Sequence, residues 1–525
     1  MLRRQFLAAA GMSLAAPRLV QAQNRRVLRF VPESDLVAID PLQTTNYPTR
    51  NHAQMVYDTL YGMNAQFRAE PQMVEGHVVE DEGRRWTLTL REGLMFHDGS
   101  KVLARDCVAS IKRWWAREAF GMTLAAVTEE LAALDDRRLR FRLKQPFPLL
   151  PEVLAKTGGP TCAMMPERLA KTDPMVSLTE IVGSGPFRYL AGERLQGVFN
   201  AYAKFEGYKP REGGSSGWTS GPKIVHFDRV EWHTIPDTAT AVAALQTGEQ
   251  DWLSAAPTDM LPLMRRDRRL RVLVNDPTGF MGIMRPNHLQ PPFDNPAIRR
   301  ALLKALSQTD FAHAVVGTDP ELYRTGVGYF CPQSPMASDA GLDILKGPRD
   351  IEGAKRDIIA AGYKGEKVLV MAPADAPTIH PLALIAADLL QKLGMNVDLV
   401  SLDLATMVQR RNNKNPPDKG GWNLFCSAAS GSDLLTPATI NYMRADGETG
   451  FYGWPKSERI EQLRAAWFEA PDVAKQQAIC AEMQRQALID LPYYPLAQTM
   501  IATAHSASLT GLNPGFPTFW GIRRA

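Results

Sequence analysis

The chain has 525 residues, 45% of them hydrophobic and 22% charged, with 60 Lys plus Arg against 56 Asp plus Glu. That length predicts about three domains, or two large ones, and the composition excludes a disordered, collagenous or coiled-coil chain. A formal charge of +4 with no long run of one sign excludes the concentrated basic face that a nucleic-acid partner needs. Five cysteines without a C-x-x-C pair exclude a dense disulfide scaffold and a cysteine-rich zinc centre.

Residues 1–22 have a basic start at Arg3-Arg4, a short apolar stretch through Leu14-Ala15-Ala16, and a small residue, Ala22, where a peptidase would cut. The stretch is too short to span a bilayer. Arg3-Arg4 with Phe6-Leu7 resembles a twin-arginine export signal, although Leu2 and Ala8 depart from it. Removing this segment leaves a nearly neutral mature chain, expected to be soluble and periplasmic. Buried free thiols are expected for Cys107, Cys162, Cys331, Cys426 and Cys480, with a Cys331–Cys426 bridge as the alternative in an oxidising compartment.

The alternation in 86–90 predicts a half-buried strand, followed by a turn at Asp98-Gly99. Cys107, Val108, Ile111 and Trp114 share one face of a helix expected over 104–116. A second alternating strand covers 138–144, with Leu139, Phe141 and Leu143 inward and its cations outward. Residues 206–223 read as a glycine-serine loop with little to bury, dispensable for binding, ahead of a strand near 224–234. Asp237 starts a helix that Gly248 stops, and Asp251–Leu253 resumes as a strand. Asn295 is a candidate N-cap with Pro296 at the first helical position. Arg299-Arg300 reads as a solvated helix face. A strand over 367–371, a helix near 380–393 ending at Gly394, and a strand over 396–400 make one strand–helix–strand unit. The last long helical stretch, 456–490, breaks near Pro471. Mixed strands and helices with such crossovers predict α/β layers.

Catalytic patterns are absent from the sequence. There is no G-x-S-x-G, H-E-x-x-H, P-loop or complete G-x-G-x-x-G, and the nine histidines are dispersed without an i, i+4 pair. No enzyme activity, cofactor or metal is expected. His97-Asp98-Gly99 reads as a structural turn rather than an acid–base pair.

Several phrases in order carry a resemblance. Asp40-Pro41-Leu42 with Tyr57–Leu60, the run from Pro71 through Trp86 to Gly93, Phe96-His97-Asp98-Gly99 with Ala104–Asp106, Gly183–Phe187, Ile235–Asp237 with Ala243–Asp251, and Pro291–Ala301 are similar to the dipeptide/oligopeptide-binding solute-binding proteins of ABC transporters, solute-binding family 5. The resemblance runs from about 28 to 500. It implies a two-lobed α/β periplasmic-binding-protein clamp with an extra inserted subdomain. Lobe I would comprise 24–60, 184–275 and 498–525, the subdomain 61–183, and lobe II 276–497. It also implies a soluble monomer that captures a peptide or peptide-like solute and hands it to the membrane permease subunits of an ABC transporter. Opines, glutathione-like compounds, sugars and metal chelates stay open as ligands; an exported two-lobed hydrolase and a ligand-sensing subunit of a membrane receptor stay open as alternatives.

The resemblance further implies that ligand contacts come from Thr45, Asn46 and Tyr47 after the opening Asp-Pro, and from the segment after Trp422, with Ser430 and Asp433. Peptide binders of this kind carry an aspartate in a tryptophan-aspartate-tyrosine phrase there. Trp422–Leu434 lacks the aspartate-tyrosine pair, and a helix N-cap is the rival role for Asp433. Met281, Trp454 and Arg324 complete the candidates, the last as a carboxylate clamp suited to a bidentate guanidinium.

Overall fold

The computed structural model describes residues 26–214 and 217–525. The expected signal segment, 1–22, lies outside them. The chain divides into two compact units, one ending at Asn275 and rejoined by Ala502–Ala525, the other Asp276–Ile501.

The first unit is built on a seven-stranded sheet in the order 270–274, 502–506, 252–253, 27–31, 229–233, 199–204, 187–189. Val27–Val31 is central and runs parallel to both Arg229–His233 and Trp252–Leu253. Its Phe30 is fully buried, with Trp252, Phe519 and Trp232 at ring-centroid distances of 4.8, 5.0 and 5.6 Å. Such edge-to-face clusters add cohesion beyond area burial. The strand expected near 224–234 is shorter, 229–233, because 224–228 is taken up by a loop.

A second, antiparallel sheet in the same unit has the order 74–80, 85–90, 138–143, 128–133. Arg85–Leu90 and Arg138–Leu143 alternate as expected, and Arg140 and Arg142 pair with Glu130 and Glu129 on the neighbouring strand. The helix Ala104–Trp115 starts where Asp106 accepts the Leu103 amide at 2.8 Å, and it buries Cys107, Ile111 and Trp114.

The 206–223 loop departs from expectation. Trp218 is 2% exposed and meets Phe67 and Phe516 edge-on. Lys223 is fully buried and donates to Asp58 at 2.9 Å, and Tyr208 donates to the other oxygen of that carboxylate at 2.9 Å. Composition hides this because one tryptophan and one lysine do the anchoring.

The second unit has a six-stranded sheet in the order 323–324, 494–499, 280–286, 424–430, 367–373, 396–402. Lys367–Pro373 is parallel to both Asn396–Leu402 and Leu424–Ser430, and the helix His380–Lys392 makes the crossover between the first two. Local signals hold here as in the first unit. Asn295 Oδ1 caps Pro296–Leu303 by accepting the Ala297 amide at 2.9 Å, Asp237 Oδ1 caps Thr238–Thr247, and Gly248 ends that helix at φ +80°. The final stretch is two helices, Glu458–Glu469 and Val473–Asp490. Arg299 is a correction: it is 7% exposed and donates to the carbonyls of Phe293 and Asp294, so only Arg300 faces solvent. All five cysteines are free and buried. No described helix is long and apolar enough to cross a membrane.

Candidate functional site

In open α/β sheets, ligand groups gather beyond the carboxyl ends of the parallel strands, because loops and helix N-termini converge there. In the first unit that edge follows Val31. The chain leaves the strand through Glu33 and returns through Thr44–Asn46 into the helix Tyr47–Val56. Thr45 is exposed, while Asn46 and Tyr47 are half-buried. Asn46 is the N-cap residue, yet its side chain does not cap, and its buried Oδ1 has no partner. The Tyr47 ring lies 4.8 Å from the Arg50 guanidinium.

In the second unit the corresponding edge follows Ser430. Phe280 pairs with both Ser430 and Thr499, and Tyr323 pairs with Thr499, so these residues share one end of the sheet. Arg324, opposite Gln498, lies one step inward and is exposed; Met281, between Ala429 and Gln498, is 2% exposed. Ser430 and Ser432 are buried with their hydroxyls 2.8 Å apart. Gly431 permits a close approach: a Cβ there would meet the Thr278 carbonyl oxygen at 2.1 Å, and its amide donates to the Gly279 carbonyl at 2.8 Å. Asp433 is the last residue of the short helical turn Gly431–Asp433, whose N-cap is Ser430. The N-cap role is therefore not open to Asp433.

Trp422 and Trp454 are taken out of this group. Trp422 lies two residues before the 424–430 strand, so it sits at the opposite end from Ser430, which is about 20 Å from Leu424 along the strand. It is fully buried with Leu369, Met371, Met407, Phe425 and Trp454, and its Nε1 donates to the Arg411 carbonyl at 3.1 Å. Trp454 is 4% exposed in the same cluster, at φ +47°. Both indoles are consumed by core packing, which the presence of small polar residues downstream does not reveal.

The His97 turn is structural. Nδ1 accepts the Gly183 amide at 3.3 Å, which leaves the proton on Nε2 to be donated to the Gly185 carbonyl at 3.0 Å. Burial holds its pKa down at about 4. The imidazole thus ties Phe96–Gly99 to Gly183–Phe187, two separated phrases of the sequence. Among the described residues no group of three or more His, Cys, Asp or Glu is placed to hold a metal ion.

Sequence reading passes over Glu33, Arg50 and Phe516. Arg50 is 6% exposed and stacks on Phe516, its guanidinium carbon 4.0 Å from the ring centroid. Glu33 is exposed at its surface, yet loss of solvation raises its carboxyl pKa, with the Arg50 charge opposing the rise. No local pattern marks these three, because 466 residues of chain separate Arg50 from Phe516.

Residues 68–451 match the family "Bacterial extracellular solute-binding proteins, family 5 Middle". The chain belongs to this family. A family 5 protein binds a solute rather than converting one. The chain is 34% identical over 524 residues, 98% of each chain, to the probable peptide ABC transporter periplasmic-binding protein y4tO of Sinorhizobium fredii. Its fold is that of DppA from Helicobacter pylori, solved with the peptide STSA, at TM-score 0.78 and 20% identity over 96% of this chain and 99% of that one. AgaA from A. tumefaciens R10, solved with agropinic acid, aligns at TM-score 0.77 and 20% identity over 95% and 99% of the two chains. The fold class is thus the two-lobed α/β periplasmic-binding-protein clamp.

Proposed function

We propose that the mature protein captures a peptide or peptide-like solute in the periplasm and delivers it to the membrane subunits of an ABC permease. The observation that carries this reading is full-length similarity to y4tO, whose name specifies peptide transport. Residues 1–22 are removed on export by the twin-arginine route, and the mature chain acts as a monomer. Within this reading 24–60, 184–275 and 498–525 form the first lobe, 61–183 an inserted subdomain and 276–497 the second. Thr45, Asn46, Tyr47, Arg324, Ser430 and Asp433 supply polar contacts, and Met281 an apolar one. A ligand shifts an open–closed equilibrium only by its differential affinity for the two states.

Native mass spectrometry of freshly purified protein identifies the co-purifying solute, and calorimetry with Ala-Ala-Ala measures binding directly. Saturation lowers the radius of gyration in solution scattering. A co-purified compound without peptide character, together with no heat from the peptide, sinks the peptide reading. Turnover of the bound compound would instead favour a hydrolase.

A further inference from the structure

Two segments of this chain are rich in arginine, and the fold treats them differently. In the 138–144 segment the cations are matched. Arg138 pairs with Asp135, Arg140 with Glu130 and Arg142 with Glu129, at 2.6, 3.2 and 3.2 Å, and Lys144 donates to the Ala126 carbonyl at 2.8 Å. The other set is 265–271, which reads Arg-Arg-Asp-Arg-Arg-Leu-Arg. Its five arginines are all exposed, and Asp267 is the one carboxylate among them. That acid is already taken. Arg269 forks onto both of its oxygens at 3.0 and 2.7 Å, and among the described residues no carboxylate lies within ion-pair distance of Arg266, Arg268 or Arg271.

Local folding gathers these charges beside apolar side chains. Leu261–Arg266 is a short helix that buries Leu261 and Met264, so Leu263 and Arg266, three positions apart, share its solvent side. The chain then turns at once. The Asp267 amide donates to the Met264 carbonyl at 3.2 Å, and the Leu270 amide to the Asp267 carbonyl at 3.0 Å. The Ala507 amide fixes this turn by donating to the Arg269 carbonyl at 2.7 Å. Leu270–Val274 follows as an edge strand of the seven-stranded sheet, with Arg271 and Leu273 exposed on one face. Three unmatched cations thus share one helix–turn–strand segment with Leu263, 54% exposed, and Leu273, 38% exposed.

This combination narrows the partner. Unmatched guanidinium groups complement phosphate oxygens. Nucleic acid fits poorly, because it is held through about six to ten phosphate contacts and by aromatic rings that stack on bases, whereas the exposed apolar side chains here are leucines. A bilayer with anionic headgroups offers both parts without needing a shaped counterpart: phosphates for the arginines and the acyl boundary for the leucines.

We propose that 261–273 docks the protein on an anionic phospholipid surface, with Arg266, Arg268 and Arg271 on headgroup phosphates and Leu263 and Leu273 entering the interface. This contact is separate from solute capture and does not depend on the peptide reading. Each basic residue near such a surface raises partition by about fivefold, so three give about a hundredfold at low salt.

Vesicle cosedimentation of the mature chain, 23–525, tests it. Wild type should bind vesicles of phosphatidylcholine with about 40% phosphatidylglycerol, should leave pure phosphatidylcholine vesicles unbound, and should be released by salt. Arg266→Ser/Arg268→Ser should lower the partition by about 25-fold. Leu263→Ser should lower it several-fold and leave the salt dependence as it was. Arg140→Ser/Arg142→Ser removes the same charge from the matched segment and should change the partition far less. All these side chains are at least partly exposed, and thermal melting should show each variant folded. Three results overturn the proposal: no binding of wild type to the anionic vesicles, equal binding to both vesicle types, or an equal loss in the two double-arginine variants, which would mean attraction by net charge alone. Binding to poly-glutamate but not to vesicles, lost in Arg266→Ser/Arg268→Ser, would also overturn it and assign the segment to an acidic protein surface.

Discussion

Lys223→Met isolates the anchor of the 206–223 loop. Lys223 and Asp58 have side chains 0% and 1% exposed, with Nζ 2.9 Å from Oδ1. Methionine keeps the stem's length, so little volume is lost beneath the Trp520 ring, which Nζ faces at 4.8 Å. What remains is a buried carboxylate holding two donors, the Tyr208 hydroxyl at 2.9 Å and the Thr59 amide at 3.0 Å. Breaking a buried pair by removing one partner costs about 3–5 kcal/mol. The two retained hydrogen bonds to a charged group place this case at the lower end, about 3 kcal/mol. Asp58→Asn/Lys223→Met removes both charges and should recover most of that loss. Urea unfolding at pH 7, followed by tryptophan fluorescence and circular dichroism, reads the change; where the two units unfold separately, it falls on the first. A loss below about 1 kcal/mol for Lys223→Met, or a double variant whose loss equals the sum of the singles, would refute the buried-charge anchor. Deleting the loop should likewise unfold the first unit rather than spare it.

Acid should destabilise the fold below about pH 6.5. Burial holds His52 at about 3 and His97 at about 4. Both folded values lie below the unfolded one, so the unfolded state binds more protons, and stability present above about pH 6.5 is lost as pH falls. Each group removes about 1.4 kcal/mol between pH 7.5 and 5.5, seen in urea midpoints, and His52→Gln should flatten that dependence. Trp422→Ala should cost about 3–5 kcal/mol of stability with solute affinity unchanged for the protein that stays folded; a selective loss of affinity would return Trp422 to the site. Asp433→Asn should weaken solute capture by about 1.5–3 kcal/mol in calorimetry, and unchanged affinity would remove Asp433 from the contacts.

Local chemistry was legible in the sequence. Asn295 and Asp237 cap the helices expected of them, Gly248 ends one, and the alternation of 138–143 gives its buried and solvated faces. These features depend on hydrogen bonds within a few residues, so the chain states them directly. The order of family phrases was legible too, and His97 shows one reason: it joins two of those phrases through hydrogen bonds. Tertiary structure decided what depends on distant partners. Trp422 became core because Met407 and Trp454 close over it, and Arg299 became buried because two carbonyls accept its protons. The 206–223 loop became an anchored segment because Lys223 meets an aspartate 165 positions away. Arg50 was buried against a ring from the far end of the chain, that of Phe516. A sequence shows which charges exist, and only the folded chain shows which of them are buried and what they meet there, as Lys223 meets Asp58.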